Sequence, residues 1–177
     1  MIEPPHRIVS NPNRLIELVQ DFQDLLIELA DAGAEFVVVG GYAVAYHGHV
    51  RATKDLDVLV RANSENAKKV YGALSEFGAP LQSFEVTADD FSTYSGVLQI
   101  GLPPRRIDII NRASGITFEE ARSEGMSFEL EGRRIPVIGL QALLKNKLAA
   151  GRDQDLVDAR VLSEAKNLMI VDEEIPD

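Results

Sequence analysis

Cysteine is absent from the 177-residue sequence, and histidine occurs only three times. The absence of cysteine excludes disulfide bonds, thiolate zinc sites and cysteine nucleophiles. Carboxylates and the three histidines are therefore the side chains available as metal ligands. We expect any bound metal to be a hard cation such as Mg²⁺, which prefers oxygen ligands.

The sequence also lacks a long apolar run and an excess of basic residues. No stretch approaches the roughly 18 apolar residues of a membrane helix, and residues 1–10 contain no apolar core flanked by basic residues. We therefore expect neither a membrane span nor a signal peptide, and we expect a cytoplasmic location.

Lysine and arginine number 18 against 28 for aspartate and glutamate, which gives a net charge of -10. This charge opposes an extended nucleic-acid surface, because such a surface neutralises phosphates.

The apolar pattern predicts one α/β (α+β) domain over residues 1–177, with helices packed on a small mixed β-sheet and a C-terminal helical hairpin. The core covers about residues 34–138, the hairpin about 139–166, and an acidic tail 167–177. The predicted elements, in chain order, are helix 12–32 capped by Asn11, strand 36–39, helix 42–47, strand 55–60, helix 64–77 capped by Ser64, strands 96–100 and 106–111, a helix opened by the capping box of Thr117 and Glu120, a β-hairpin at 128–138 turning at Glu131-Gly132, and helices 140–150 and 153–165. Because residues 36–39 are all apolar, we expect that strand to be central.

Two aspartates, Asp55 and Asp57, begin the strand at residues 55–60. Residues two apart in a strand project from the same face, so the two carboxylates are neighbours. At about 4 Å their repulsion is roughly 1 kcal/mol in water and about 4 kcal/mol near a protein surface, and a divalent cation would reverse it. The alternative is an exposed acidic pair on an edge strand.

A third aspartate, Asp108, lies between two isoleucines in the strand at residues 106–111, where an unpaired charge is unfavourable. If this strand neighbours the strand of Asp55, the three carboxylates converge, because neighbouring side chains on one sheet face lie roughly 4.5 to 5.5 Å apart at Cβ. Such a group could share one metal ion or flank a pair of them. The competing interpretation is a salt bridge from Asp108 to Arg105 or Arg106.

A diglycine, Gly40-Gly41, follows the apolar strand and opens the next helix. Without Cβ atoms its backbone N–H groups can approach an anion closely, and the helix dipole favours negative charge there. The arrangement suits a triphosphate. A tight turn alone would also explain the two glycines, because the full dinucleotide-binding fingerprint is missing.

The combination of these features resembles the nucleotidyltransferase superfamily, which includes DNA polymerase beta and the kanamycin nucleotidyltransferases. The shared pattern is an apolar strand, Gly40-Gly41, thirteen intervening residues, Asp55-Leu56-Asp57 and a later lone aspartate on a strand. The stretches RATKDLD at residues 51–57 and KLAAGR at residues 147–152 are similar to those of small bacterial members. Some of these members are linked to toxin-antitoxin and abortive-infection systems. The resemblance covers about residues 36–162.

The resemblance implies a nucleotidyltransferase-like fold and a reaction that depends on Mg²⁺ (or Mn²⁺). In this reaction a hydroxyl attacks the α-phosphate of a nucleoside triphosphate such as ATP, and pyrophosphate leaves. The implied metal ligands and catalytic residues are Asp55, Asp57 and Asp108, the last also activating the acceptor hydroxyl. The implied nucleotide-binding residues are Gly40, Gly41, Arg51, Thr53, Lys54 and Lys147. The acceptor stays open between an RNA end, a protein hydroxyl and a small molecule.

Several charged residues have a structural interpretation beside the functional one. Salt bridges or surface positions would account for Arg51, Lys54 and Lys147. His47 and His49 precede the aspartates and could meet substrate, although single histidines more often have structural roles. The aspartates near the start of the last helix are expected to cap and decorate it. They are Asp153, Asp155 and Asp158.

Two rival functions share some of these features. Phosphatases of the haloacid dehalogenase type also use Asp-x-Asp, but their nucleophilic aspartate follows an apolar strand, whereas Asp55 precedes one. The non-enzymatic alternative is a nucleotide-binding module with weak or no turnover, as half of a toxin-antitoxin type pair with a protein partner.

Overall fold

The computed structural model describes residues 7–11, 14–93 and 96–173. Its strands and helices, in chain order, are β1 (Arg7–Asn11), β2 (Arg14–Glu17), α1 (Gln20–Asp31), β3 (Phe36–Val39), α2 (Gly40–Tyr46), β4 (Asp55–Val60), α3 (Ser64–Phe77), α4 (Asp90–Thr93), β5 (Val97–Ile100), β6 (Arg106–Ile110), α5 (Phe118–Arg122), β7 (Ser127–Leu130), β8 (Arg133–Pro136), α6 (Leu140–Ala150) and α7 (Asp153–Glu173). Within the described ranges, no helix is both long enough and apolar enough to cross a membrane.

Four strands form a mixed sheet in the order β3, β4, β6, β5. β4 and β6 are parallel, whereas β3 is antiparallel to β4 and β5 is antiparallel to β6. The predicted mixed α/β architecture is therefore confirmed. Two further antiparallel pairs, β1 with β2 and β7 with β8, lie outside this sheet.

The prediction that the strand at residues 36–39 is central was wrong, because β3 is an edge strand of the four-stranded sheet. All four of its residues are nevertheless buried. Its outer edge is covered: the N–H of Ile138 donates to the carbonyl of Val38 at 3.0 Å, and Arg122 donates to the carbonyl of Phe36 at 3.0 Å. The continuous apolar run therefore indicates that the strand is buried. It does not indicate a central position, because residues outside the sheet can also bury a strand.

The first helix begins later than predicted. α1 begins at Gln20, and residues 14–17 form β2, paired antiparallel with β1. Asn11 lies in β1 and does not cap a helix, and Pro12 lies outside the described residues. Apolar residues before position 20 continue the three- and four-residue spacing, so periodicity alone does not mark where this helix begins.

The last helix ends later than predicted, because α7 continues to Glu173. The predicted end at residue 165 is not supported by a helix-stopping residue: neither glycine nor proline occurs between Arg152 and Pro176. The predicted tail therefore overlaps the helix, and its last four residues, 174–177, lie outside the described residues.

Helix caps and turns follow local sequence rules. Asn63, not the predicted Ser64, caps α3, because its side chain accepts a hydrogen bond from the N–H of Asn66 at 2.8 Å. The capping box of Thr117 and Glu120 is present as predicted. The β7–β8 hairpin turns at residues 131–132 as predicted, both with positive φ.

The two faces of the sheet differ in character. Leu56 and Val58 of β4 and Ile109 of β6 belong to the hydrophobic core. Because side chains alternate along a strand, Asp55 and Asp57 project from the opposite face. The chemistry of this domain is therefore expected on the face away from these core residues.

Candidate active site

The register of β4 and β6 brings the three aspartates together. Asp57 lies directly opposite Asp108 in the parallel pair, and Asp55 lies opposite Arg106. Residues 55, 57, 106 and 108 therefore share one face of the sheet. The sequence indicated this convergence on the condition that the two strands are neighbours, and the structure meets that condition.

The carboxyl group of Asp57 lies close to two other carboxylates. Burial, followed by the negative charges of Asp108 and Asp55, raises the pKa of Asp57 to about 6. Each of these causes disfavours the ionised form. A cation bound at this face would instead lower the pKa of Asp57.

Arg106 already engages the other two carboxylates. Its Nε and Nη2 donate to the two oxygens of Asp108 at 2.8 and 3.1 Å, and Nη2 also lies 3.3 Å from Oδ2 of Asp55. The salt bridge to Asp108 that competed with the metal interpretation is therefore present. No group of three or more histidine, aspartate or glutamate residues within the described ranges is arranged to hold a metal ion.

The diglycine lies against this acidic face. Gly40 has φ of +65°, and a Cβ atom there would collide with the carboxylate of Asp57. A Cβ atom at Gly41 would collide with the side chain of Thr53. Glycine is therefore required at residue 40 for two reasons: the backbone has a positive φ there, and it passes too close to the carboxylate of Asp57 to leave room for a Cβ atom.

The predicted phosphate contacts Arg51 and Lys147 form ion pairs with α7. Arg51 donates to both oxygens of Asp158 at 2.8 and 2.9 Å. Lys147 lies 2.6 Å from Oδ1 of Asp155 and 3.2 Å from Oδ2 of Asp158. Arg152 adds a 2.6 Å bond to Asp155. The loop before β4 is therefore joined to α6 and α7 by one charged cluster.

The prediction that the aspartates of the last helix cap and decorate it was wrong for Asp155 and Asp158. Asp155 and Asp158 are 2% and 0% exposed, so they do not decorate the surface. Burial opposes their ionisation, but hydrogen bonds from Arg152 and Lys147 lower the pKa of Asp155, and those from Arg51, Gln154 and Lys147 lower that of Asp158. Their spacing of three residues places both on one side of a helix, which is the signal that sequence reasoning missed.

The two histidines lie outside the acidic face. Nε2 of His47 lies 2.7 Å from the carbonyl oxygen of Ile138, and Nε2 of His49 lies 3.7 Å from Oδ1 of Asp158. Neither histidine lines the cleft that contains the aspartates. Their contacts agree with structural roles.

Asp55, Asp57 and Asp108, the diglycine and most of the charged cluster line one cleft of about 660 Å³; Asp158 is not among the lining residues. Its basic lining residues are Arg51, Lys54, Arg106, Arg112, Lys147 and Arg152, and its acidic ones are Asp55, Asp57, Asp108 and Asp155. The cleft is thus richer in basic than in acidic residues, in contrast to the whole chain with its net charge of -10. This local balance suits an anionic ligand.

Comparisons with known proteins identify the family of the chain. The sequence model of the aminoglycoside-2''-adenylyltransferase family matches residues 21–162, which include all three aspartates. No curated protein matches the chain. A solved structure of a candidate nucleotidyltransferase from Thermotoga maritima is similar with a TM-score of 0.47 and 18% identity, over 85% of this chain and 96% of that chain. The predicted membership of the nucleotidyltransferase superfamily is confirmed by the family match. The chain belongs to the aminoglycoside-2''-adenylyltransferase family and is a nucleotidyltransferase.

Proposed function

We propose that the chain transfers a nucleoside monophosphate from a nucleoside triphosphate to a hydroxyl acceptor and releases pyrophosphate, in a reaction that requires Mg²⁺ or Mn²⁺. One observation carries the proposal: the β4–β6 register places Asp55, Asp57 and Asp108 on one sheet face beside Gly40, in a cleft with an excess of basic residues. This arrangement combines oxygen ligands for a hard cation with donors for a phosphate chain.

The donor chemistry of the acidic face fits a divalent cation. Carboxylate oxygens are the ligands that Mg²⁺ prefers, and the raised pKa of Asp57 reflects burial and two like charges that a cation would offset. Asp55 and Asp57 would hold the ion, and Asp108 would complete the site and take the proton of the acceptor hydroxyl. When bound, such ions stabilise charge on the attacking and leaving oxygens.

The nucleotide would lie along the diglycine side of the cleft. The backbone at Gly40 and Gly41 approaches the cleft without Cβ obstruction, which supports contacts to the β- and γ-phosphates. Arg51, Thr53 and Lys54 line the same part and are proposed as further contacts.

Lys147 is buried, whereas Arg51, Thr53 and Lys54 are not. Its side chain is 5% exposed and is paired with two carboxylates of α7. We therefore assign to Lys147 the role of holding α6 and α7 against the loop before β4, with any phosphate contact secondary to that role.

The acceptor is proposed to be neutral or anionic. The family name points to an aminoglycoside, a polycation, whose ammonium groups need free carboxylates. In this cleft Asp108 is paired with Arg106, and Asp155 is paired with Lys147 and Arg152. An RNA end, a protein hydroxyl or a neutral small molecule therefore fits the charges better than an aminoglycoside does.

A second candidate is a nucleotide-binding module with weak or no turnover, within a toxin-antitoxin type pair. The observation that favours it is the pairing of Arg106 with two of the three carboxylates, because this pairing opposes metal binding. The two candidates differ in whether bound nucleotide is transferred.

Incubation with α-labelled nucleoside triphosphates, Mg²⁺ and a cell extract tests the proposal. We expect labelled product with the wild-type protein, none with Asp57→Asn, and full product with Asp21→Asn, which removes an exposed carboxylate of α1 as a matched control. Parallel reactions with an aminoglycoside as the sole acceptor should give no product. Nucleotide binding without transfer would favour the binding module. No product, together with no Asp57-dependent thermal shift from Mg²⁺ and nucleotide, would contradict the transferase function of this site.

A further inference from the structure

Arg106 occupies the position between two of the proposed metal ligands. It lies opposite Asp55 in the β4–β6 register and on the same strand face as Asp108. The guanidinium fork binds Asp108 through two hydrogen bonds, at 2.8 and 3.1 Å, and reaches Asp55 at 3.3 Å. One side chain therefore holds carboxylates from both strands of the site.

The contact between Arg106 and Asp55 is partly exposed to solvent. Arg106 is 31% exposed and Asp55 40% exposed at their side chains, so water can replace each partner. A bidentate, charge-assisted contact is among the stronger hydrogen-bonded pairs, but exposure keeps its free energy modest. The contact with Asp108, which is 12% exposed, is the more protected part.

At the sheet face itself, the carboxylates outnumber the basic group that contacts them, which favours cation binding. Three carboxylates face one guanidinium, and within the described residues Asp57 takes part in no ion pair. Arg112 and Lys54 line the same cleft without ion-pair partners among the described residues, so the site does not lack nearby basic groups. Arg106 is distinguished by direct contact with the carboxylates, not by its charge alone.

We propose that Arg106 is a positioning residue that serves as an internal counter-ion of the metal site. It holds Asp55 and Asp108 in place when no cation is bound, and it must release them before a divalent cation can use their oxygens. This inference rests on the proposed function, since it concerns the same carboxylates. A ligand whose competent state is only partly populated binds with an affinity reduced by that fraction. If the pair is closed about nine-tenths of the time, cation affinity is about tenfold below its intrinsic value.

Titration with Mn²⁺ alone, followed by the loss of the free-ion electron paramagnetic resonance signal, tests the inference without measuring activity. Arg106→Gln should bind Mn²⁺ about tenfold more tightly than wild type. Arg112→Gln, which removes a cleft charge that makes no such contact, should change the affinity by less than about threefold; a general field effect would act on both variants. Arg106→Lys keeps the charge but loses the fork, and should bind with intermediate affinity.

Thermal denaturation provides a second readout and checks folding. Without divalent cations, Arg106→Gln should melt below wild type, because three carboxylates then repel one another without a partner. Added Mg²⁺ should raise its melting temperature by more than it raises that of wild type, as expected for tighter binding to the folded state. A variant that melts cooperatively in both conditions remains suitable for the titration.

The outcomes separate this inference from the proposed function. Equal or weaker Mn²⁺ binding by Arg106→Gln, or an equal gain in Arg112→Gln, would overturn the counter-ion role even if Asp57→Asn abolishes binding. The proposed metal site itself fails if wild-type binding is unaffected by Asp57→Asn. Absence of Mn²⁺ binding in every variant would overturn both.

Discussion

Asp57→Asn is expected to stabilise the cation-free protein while removing transferase activity. The ionised carboxylate of Asp57 is disfavoured in the folded state by burial and by the charges of Asp108 and Asp55, which together raise its pKa to about 6. Asparagine has nearly the same shape and no charge. The substitution therefore removes an unfavourable electrostatic contribution to folding, at the expense of a proposed metal ligand.

The sign and size follow from proton linkage. The unfolded chain ionises Asp57 near the ordinary pKa of 3.8 and the folded protein only near 6, so the contribution of Asp57 to wild-type stability falls as pH rises across this window. At 1.36 kcal/mol per pH unit the full effect is about 3 kcal/mol. The advantage of Asp57→Asn should grow from less than about 1 kcal/mol at pH 4 to about 3 kcal/mol at pH 7.5.

Urea denaturation followed by circular dichroism, with a chelator present, measures this difference. Asp55→Asn is the matched control, because the same chemical change there removes one like charge beside Asp57 but also a carboxylate that accepts a hydrogen bond from Arg106, and should bring a smaller gain. The reasoning is refuted if Asp57→Asn is no more stable than wild type at pH 7.5, or if its advantage does not depend on pH. Saturating Mg²⁺ should narrow the gap, since only wild type gains from the ion.

Three further predictions concern other residues. Gly40→Ala should abolish transfer and destabilise the protein by about 1–2 kcal/mol, because alanine is strained at positive φ and its Cβ would meet the carboxylate of Asp57. The control is Gly72→Ala, which has open space around it and should instead stabilise the protein by about 0.5–1 kcal/mol. Lys147→Met should cost about 3–5 kcal/mol in urea denaturation, since it leaves two buried carboxylates short of a partner, and a loss below about 1 kcal/mol would contradict the importance of the cluster. Asn63→Ala should lower the free energy of unfolding by about 1 kcal/mol through loss of the α3 cap, and an unchanged denaturation midpoint would count against that cap.

Much of the local structure could be predicted from the sequence because its determinants are close in the chain. The bounds of β4, α3 and α6 agree with the predicted ranges. Alternation along β4 was enough to place Asp55 and Asp57 on one face. Short-range hydrogen bonds decide caps and turns, as at Thr117.

Interactions between distant residues could not be predicted in the same way. The position of Asp57 opposite Asp108, the edge position of β3 and the contact of Arg51 with Asp158 each depend on residues far apart in the chain. Sequence spacing limits which residues can share a face of one element, but it does not say which other element that face meets. The charged cluster that joins α6, α7 and the loop before β4 illustrates this limit.

The stretch from Gly40 to Val60, together with Asp108, contains in its residue order the three carboxylates, the diglycine and the apolar strands that carry the transferase hypothesis. These features follow from local periodicity and residue chemistry, so the sequence by itself determined them. Only the tertiary structure decided that β4 and β6 are parallel neighbours in the register that sets Asp57 opposite Asp108. It also decided that Arg106 reaches Asp55, because a contact across two strands depends on their register, which no local pattern specifies.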